Sequence, residues 1–287
     1  MIRLVAQGGI GNQLFYWNYA HALNQKYAQK IVIVFANNQE PDRQVFLCQI
    51  SNYCNHDILV NFSPKLHFML KFFDLLRNRM PETINRCENF FGVVSLPVAG
   101  DLLNNLGLKE KIIRGYFQNS ESVITNYGCY QSEIDSWLED NASSTMKHLV
   151  LETPNFIGIH IRRGDFELSK TSTGVLTNKY FLDLLDSDAP VIITTDDNRA
   201  VPELKVSFPG TMVLDPANVS PIDSLYILTK AQKLITSNST FSWWAAVIGK
   251  KHIEEIIMPK PWNIKQFNKS NYLELPDVTY ADAVFER

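Results

Sequence analysis

The sequence predicts an α/β protein of two Rossmann-like halves, residues 1–150 and 151–287, facing each other across a cleft. Three features carry that expectation. Residues 2–36 read as one strand–helix–strand unit. A second alternation of strands and helices runs from residue 156 to residue 258. Between them, residues 140–154 are polar and irregular and mark the boundary. Alternating elements imply parallel sheets, because a parallel strand pair needs the long crossover that a helix supplies.

Each element has its own signal. Residues 2–7 form a short apolar run, and Gly8-Gly9-Ile10-Gly11-Asn12 reads as a turn. From Leu14 the apolar side chains Phe15, Tyr19, Ala22, Leu23 and Tyr27 recur at helical spacing. Ile31-Val32-Ile33-Val34-Phe35 is a β-branched strand. Residues 64–80 read as a helix of mixed basic and apolar character, with Lys65, Phe68, Phe72 and Arg77. Such a helix could lie on a membrane or touch a lipid-linked acceptor. The commoner case, adopted for this helix, is a packed helix whose Lys and Arg stems cover apolar surface. In the second half, strands are expected at 156–161, 191–195, 234–236 and 253–258. Helices are expected at 180–185, 222–232 and 241–248.

Composition narrows the function. Lys and Arg number 27 against 30 Asp and Glu, a net charge of −3, so a nucleic-acid partner is not expected. Cys48, Cys54, Cys87 and Cys129 form no CxxC pair and too sparse a set for a disulfide scaffold. The start of the chain runs directly into a strand pattern with no leader signature. Its apolar runs fall far short of the roughly 20 residues that span a bilayer. A cytoplasmic protein is expected, at most in peripheral contact with the inner face of the membrane.

Four segments could carry chemistry. His160-Ile161-Arg162-Arg163-Gly164-Asp165 ends a buried strand, and ligands of open α/β sheets bind outside the carboxyl ends of strands. Two arginines there call for an anion, whose oxygens a guanidinium matches as a fork. The alternative is a structural ion-pair cluster, with Asp165 holding one arginine. Ser237-Asn238-Ser239-Thr240-Phe241-Ser242 joins a strand to a helix, where hydroxyls cap and amides attract anions. Trp243 and Trp244, just inside that helix, read as packing. Thr194-Thr195-Asp196-Asp197 could bind ribose or guanine donors, chelate a metal, or cap a helix. Gly9 and Gly11 begin a dinucleotide fingerprint, but Leu14 takes the third glycine position, so NAD is not indicated. The turn still lets a ligand approach the backbone, with Asn12 and Gln13 as polar hands.

Gly8-Gly9-Ile10-Gly11-Asn12-Gln13-Leu14-Phe15, Gly115-Tyr116-Phe117-Gln118, His160-Ile161-Arg162-Arg163-Gly164-Asp165 and residues 237–246 occur in this order. Together they resemble the α-1,2-fucosyltransferases of glycosyltransferase family 11, the bacterial members in particular. The resemblance implies a GT-B-like fold, with an acceptor-binding first domain and a second domain that binds GDP-β-L-fucose. It implies inverting transfer of L-fucose to the 2-hydroxyl of a galactose-terminated oligosaccharide or glycolipid, as in O-antigen or capsule synthesis. No cofactor and no obligatory metal are implied. By similarity Arg162, Arg163 and His160 lie near the diphosphate, with Ser239, Thr240, Phe241 and Ser242 as its neighbours. Asp223 resembles a guanine-reading position, Asp196 falls among the donor contacts, and Gly9, Gly11, Asn12 and Gln13 face the donor.

Charge builds on the β-phosphate as the sugar becomes oxocarbenium-like, and fixed cations stabilise it without a metal. The proton acceptor for the sugar hydroxyl stays open between Asp165, which a salt bridge would weaken, and His160, whose ordinary pKa is suitable. Two other readings remain: transfer in another linkage, α-1,3 or α-1,6, and a non-catalytic protein that only binds sugar nucleotide or glycan.

Overall fold

The computed structural model describes residues 1–36, 39–40, 43–44, 46–53, 57–96, 112–164, 173–185, 188–264 and 273–286. The chain divides into two compact units, Met1–Trp137 and Leu138–Arg287.

Unit 1 contains β1 (Ile2–Val5), α1 (Ile10–Tyr27), β2 (Ile31–Phe35), the two-residue strands β3 (Gln39–Glu40) and β4 (Arg43–Gln44), α2 (Leu47–Ile50) and β5 (Ile58–Phe62). Then follow α3 (Pro64–Arg77), α4 (Pro81–Phe91), β6 (Val93–Ser95), β7 (Ile112–Arg114) and α5 (Ser120–Asn126). Helix α6 (Gln131–Asn141) runs across the division. The main sheet is parallel in the order β5-β2-β1-β7-β6. Strand β2 is buried along its whole length, as a β-branched strand covered on both faces should be. Helix α1 packs on β2, β5, α2 and α5, and so is buried nearly all round.

Helix α1 starts at Ile10, four residues before the expected Leu14. Gly9 is its N-cap, and the amide of Gln13 donates to the carbonyl of Gly9 over 3.0 Å. Gly11, Asn12 and Gln13 therefore sit in the first helical turn rather than in a loop. Glycines hid this start, because the turn is made by Gly8, at φ +94°, and Gly9 alone.

Unit 2 contains α7 (Ser144–Glu152), β8 (Ile157–Ile161), α8 (Asn178–Leu182), β9 (Val191–Thr195), α9 (Val201–Ser207), β10 (Met212–Leu214), α10 (Pro221–Thr229), β11 (Lys233–Ile235), α11 (Thr240–Gly249), β12 (Glu255–Lys260) and β13 (Thr279–Asp282). Its sheet is parallel in the order β10-β9-β8-β11-β12-β13. The stretch expected to be irregular, 140–154, holds helix α7. Ser143 caps it by accepting the amide of Met146 over 3.3 Å, and Met146 is buried. Polar caps rather than apolar periodicity define this short helix.

Both sheets are doubly wound. In unit 1 the chain leaves β1 toward β2 and β5, and places β7 and β6 on the other side. In unit 2 it leaves β8 toward β9 and β10, and places β11, β12 and β13 on the other side. Each sheet therefore has one switch point, between β1 and β7 and between β8 and β11. In doubly wound sheets the ligand crevice lies at the carboxyl ends of such strand pairs, and the topology assigns it there in each unit.

Candidate functional site

The crevice of unit 2 is bordered by His160 to Gly164, the end of β8 and the turn after it, and by Ser237 to Thr240, after β11. Side chains alternate along a strand. Gly158 lies against Ala231 and Leu228, and His160 stacks at a tilt on Phe241 with ring centroids 5.0 Å apart. Ile157, Ile159 and Ile161 point the other way, into a core with Tyr180, Phe181, Leu204 and Phe208.

This alternation separates the two arginines. Arg162 pairs through Nη1 with Asp196 Oδ2 at 2.9 Å, and its side chain is 24% exposed. Arg163 is 7% exposed and pairs through Nη1 with Glu286. Its Nη2 donates to Asn178 Oδ1 over 2.7 Å. Asn178 in turn donates to Glu203 (2.8 Å) and Ser207 (3.0 Å) of α9. The expected pair of guanidinium groups in one pocket thus becomes one arginine at the crevice and one locked beneath α8 and α9. Glu286 reaches Arg163 because the end of the chain bridges back onto residues 175–177. No local pattern in the sequence signals that contact.

Asp196 stands at the end of β9 and organises the turn. Its Oδ1 accepts the amide of Arg163 over 2.8 Å while Oδ2 holds Arg162. Gly164 makes room for it: a Cβ there would lie 2.3 Å from Asp196 Oδ2. Asp197 instead caps the following turn and chelates Arg199, which holds its carboxyl below the usual carboxylate range. Capping is therefore what the structure assigns to Asp197, and clamping of the arginine turn to Asp196. Asp165 lies outside the described residues.

His160 is fully buried, and its Nδ1 is hydrogen bonded to Ser237 Oγ at 2.9 Å. Burial, with the nearby positive charge of Arg162, lowers its pKa to about 3. The ordinary pKa that made it a candidate base does not survive folding: the ring is neutral at pH 7 and a weak base. Ser237 was missed as its partner, although it follows β11 where His160 ends β8.

Ser239 caps α11, its Oγ accepting the amide of Phe241 over 3.3 Å. Ser242 Oγ donates to the carbonyls of Ser237 (3.2 Å) and Ser239 (3.3 Å), so it holds the loop. Thr240 and Phe241 are half-buried at the helix start. The amino end of α11, the positive end of its dipole, lies beside His160 through the ring of Phe241. Trp243 and Trp244 are completely buried, as expected of packing residues. Asp223 closes a reciprocal cap with Ser220: its amide donates to Ser220 Oγ (3.0 Å) and its Oδ2 accepts that hydroxyl (2.9 Å). Its Oδ1 accepts the amide of Ser143 over 2.7 Å, which ties α7 to α10.

The crevice of unit 1 has another character. Gly8 and Gly9 follow β1, and Gly115 to Gln118 follow β7. Gln7 Nε2 donates to Tyr116 Oη over 2.8 Å, and Gln118 Nε2 donates to Asn12 Oδ1 over 2.9 Å. A Cβ on Gly8 would meet Asn12 Nδ2 at 2.5 Å. Phe117 takes a left-handed φ of +54°, and its ring stacks on Tyr19 at 4.1 Å. Gln13 is buried and holds structure: its Oε1 accepts the amide of Phe46 over 2.8 Å, and its Nε2 donates to Gly8 O over 3.2 Å. The resemblance motifs thus fall in pairs, one pair at each switch point. Among the described residues, no group of three or more His, Cys, Asp or Glu is placed to hold a metal.

The chain is similar to known proteins along most of its length. An O-antigen biosynthesis glycosyltransferase of Escherichia coli, WbnK, is 24% identical over 285 residues, 89% of this chain and 92% of that protein. An α-1,2-colitosyltransferase of Escherichia coli is 25% identical over 160 residues, 52% of this chain and 54% of that protein. Among solved structures, the fucosyltransferase NodZ from Bradyrhizobium aligns with a TM-score of 0.46 at 13% identity, covering 91% of this chain and 96% of that one. The model of glycosyl transferase family 11 matches residues 109–280, which include the second motif of unit 1 and the whole crevice of unit 2. This chain belongs to glycosyltransferase family 11.

Proposed function

We propose that this glycosyltransferase moves L-fucose from GDP-β-L-fucose to the 2-hydroxyl of a terminal β-galactoside, with inversion and without an obligatory metal. The observation that carries the reading is Arg162 after β8, partly exposed and held by Asp196, in a sheet whose next strand across the switch point, β11, leads into the amino end of α11. A guanidinium and a helix dipole there offset the charge that gathers on a departing diphosphate. Arg163 is a positioning residue, since its guanidinium is spent on Glu286 and Asn178. His160 orients rather than removes protons: an imidazole with a pKa of about 3 cannot deprotonate an alcohol at neutral pH. Asp165 keeps the candidacy for the base.

The neutral amides of the unit 1 crevice suit sugar hydroxyls, and the acceptor is assigned there. The names of the Escherichia coli relatives support a role in O-antigen assembly and a 1,2 linkage. The test is a GDP-release assay with GDP-fucose and lactose, followed by NMR of the product. An α-1,2 fucoside formed in the presence of EDTA is expected. An α-1,3 or α-1,6 product refutes the linkage. Activity lost in EDTA and restored by Mg²⁺ or Mn²⁺ refutes metal independence. Donor binding without turnover leaves only a binding protein.

A further inference from the structure

We propose that the α3–α4 hairpin is an interfacial anchor that seats unit 1 on a bilayer rich in anionic phospholipid. The sequence favoured a packed helix here, and the structure meets that expectation on one face only. Helix α3 buries Leu70 and Phe73, and α4 buries Ile84 and Glu88. Leu70, Phe73 and Ile84 pack on Val93 and Ile112 of the sheet. The opposite face is apolar as well. Phe68, Phe72 and Leu75, spaced four and three residues apart, are 74%, 49% and 74% exposed. Met80 at the turn and Phe90 and Phe91 at the end of α4 are exposed apolar residues of the same hairpin. Phe91 contacts both Phe90 and Phe73, with centroids at 5.3 and 6.4 Å, so the exposed end of α4 is anchored on the packed face of α3. Single exposed apolar residues need no explanation, but a cluster on one hairpin does.

Charge identifies what covers it. Lys65, Lys71, Arg79 and Arg86 are exposed on the hairpin. The exposed carboxylates are Glu82 and Asp74, and Asp74 is held by Arg114 at 2.5 Å. The patch is therefore cationic on a chain whose net charge is −3. A second copy meeting it face to face would oppose cation with cation. Anionic headgroups complement it while the aromatics enter the acyl boundary. Among the described residues no helix is long and apolar enough to cross a membrane, so the hairpin lies in the interface. Asp74 and Glu88 moor it to Arg114, the last residue of β7, next to the crevice segment Gly115 to Gln118. The inference rests on this patch and not on the donor or the linkage.

The test is co-sedimentation of the full chain with vesicles of phosphatidylcholine alone or with about one third phosphatidylglycerol. Binding to the anionic vesicles is expected, at least about tenfold tighter than to neutral ones and weakened by salt. The triple variant F68S/F72S/F90S and the double variant K71E/R86E should each lower the bound fraction about tenfold. Their GDP release with soluble lactose and their melting temperature should stay those of the parent. If the triple variant melts early, the charge variant, which alters no packed residue, decides alone. Three results overturn the proposal: no binding of the parent to anionic vesicles, binding unchanged in the charge variant, or a parent dimer that F68S/F72S/F90S converts to monomer.

Discussion

The two switch-point crevices share a topology and differ in chemistry. In unit 2 the strand ends carry Arg162, Asp196 and the amino end of α11. In unit 1 they carry Gln7, Asn12, Tyr116 and Gln118, linked in neutral pairs. A doubly wound sheet supplies the crevice, and the side chains decide its ligand. Charge suits a diphosphate, whereas amides and a phenol suit sugar hydroxyls. The contrast breaks first at Arg162. Arg162→Ala should reduce kcat by about 10²–10³ with the melting temperature nearly unchanged. Arg162→Lys should stay low, because an ammonium cannot fork across two oxygens. Near-parental GDP release by either purified variant removes the charge assignment from unit 2.

Gly164 sharpens the same point by leaving every charge in place. Its Cβ would fall 2.3 Å from Asp196 Oδ2, so Gly164→Ala must displace the carboxylate that aims Arg162. A loss of about tenfold to a hundredfold in kcat is expected, with the melting temperature showing whether the turn survives. Parental turnover would mean that Asp196 does not set the geometry.

Arg163 tests whether its neighbour is structural. Removing it leaves Glu286 and Asn178 without their partner. Breaking a buried pair costs several kcal/mol, but Glu286 is partly wet, so Arg163→Ala should cost about 2–3 kcal/mol. That corresponds to a fall of about 4–12 °C in melting temperature. A variant that melts like the parent yet loses turnover returns Arg163 to the diphosphate.

These contrasts show what the sequence could and could not reveal. Strands β2, β8 and β9 were legible because buried parallel strands are continuous β-branched runs. Helix α11 was legible because serine and threonine precede an apolar run. Strands β6, β7 and β10 have three residues each, too few to show a period. The position of His160 and Arg162 at a crevice was readable from the strand they end. The divergence of Arg162 and Arg163 was not, since it depends on which face packs under α8 and α9. Glu286 lies 123 residues from Arg163, and only the folded chain brings them together.

His160 extends the comparison to pH. Its pKa is lowered from 6.5 to about 3, so below pH 6.5 the unfolded chain takes up a proton that the folded chain refuses. The stabilisation is complete above pH 6.5 and is lost as pH falls toward 3, at about 1.4 kcal/mol per pH unit from this group. In urea unfolding, His160→Asn should flatten that part of the stability profile. An unchanged slope between pH 6.5 and 4 would mean that the ring is solvated or already charged.

The smallest effect is expected in unit 1. Gln118 donates to Asn12 across the crevice, and neither side chain is charged. Gln118→Ala removes one neutral hydrogen bond near the proposed acceptor site, worth about 1 kcal/mol. If that bond positions the galactoside, the KM for lactose should rise about fivefold while the KM for GDP-fucose and kcat stay put. A rise in the donor KM instead would give the amide pair to the sugar nucleotide, the role that the glycine-turn motif first suggested for Asn12. The split between the two Michaelis constants is what decides, since a general loosening of unit 1 would move both together.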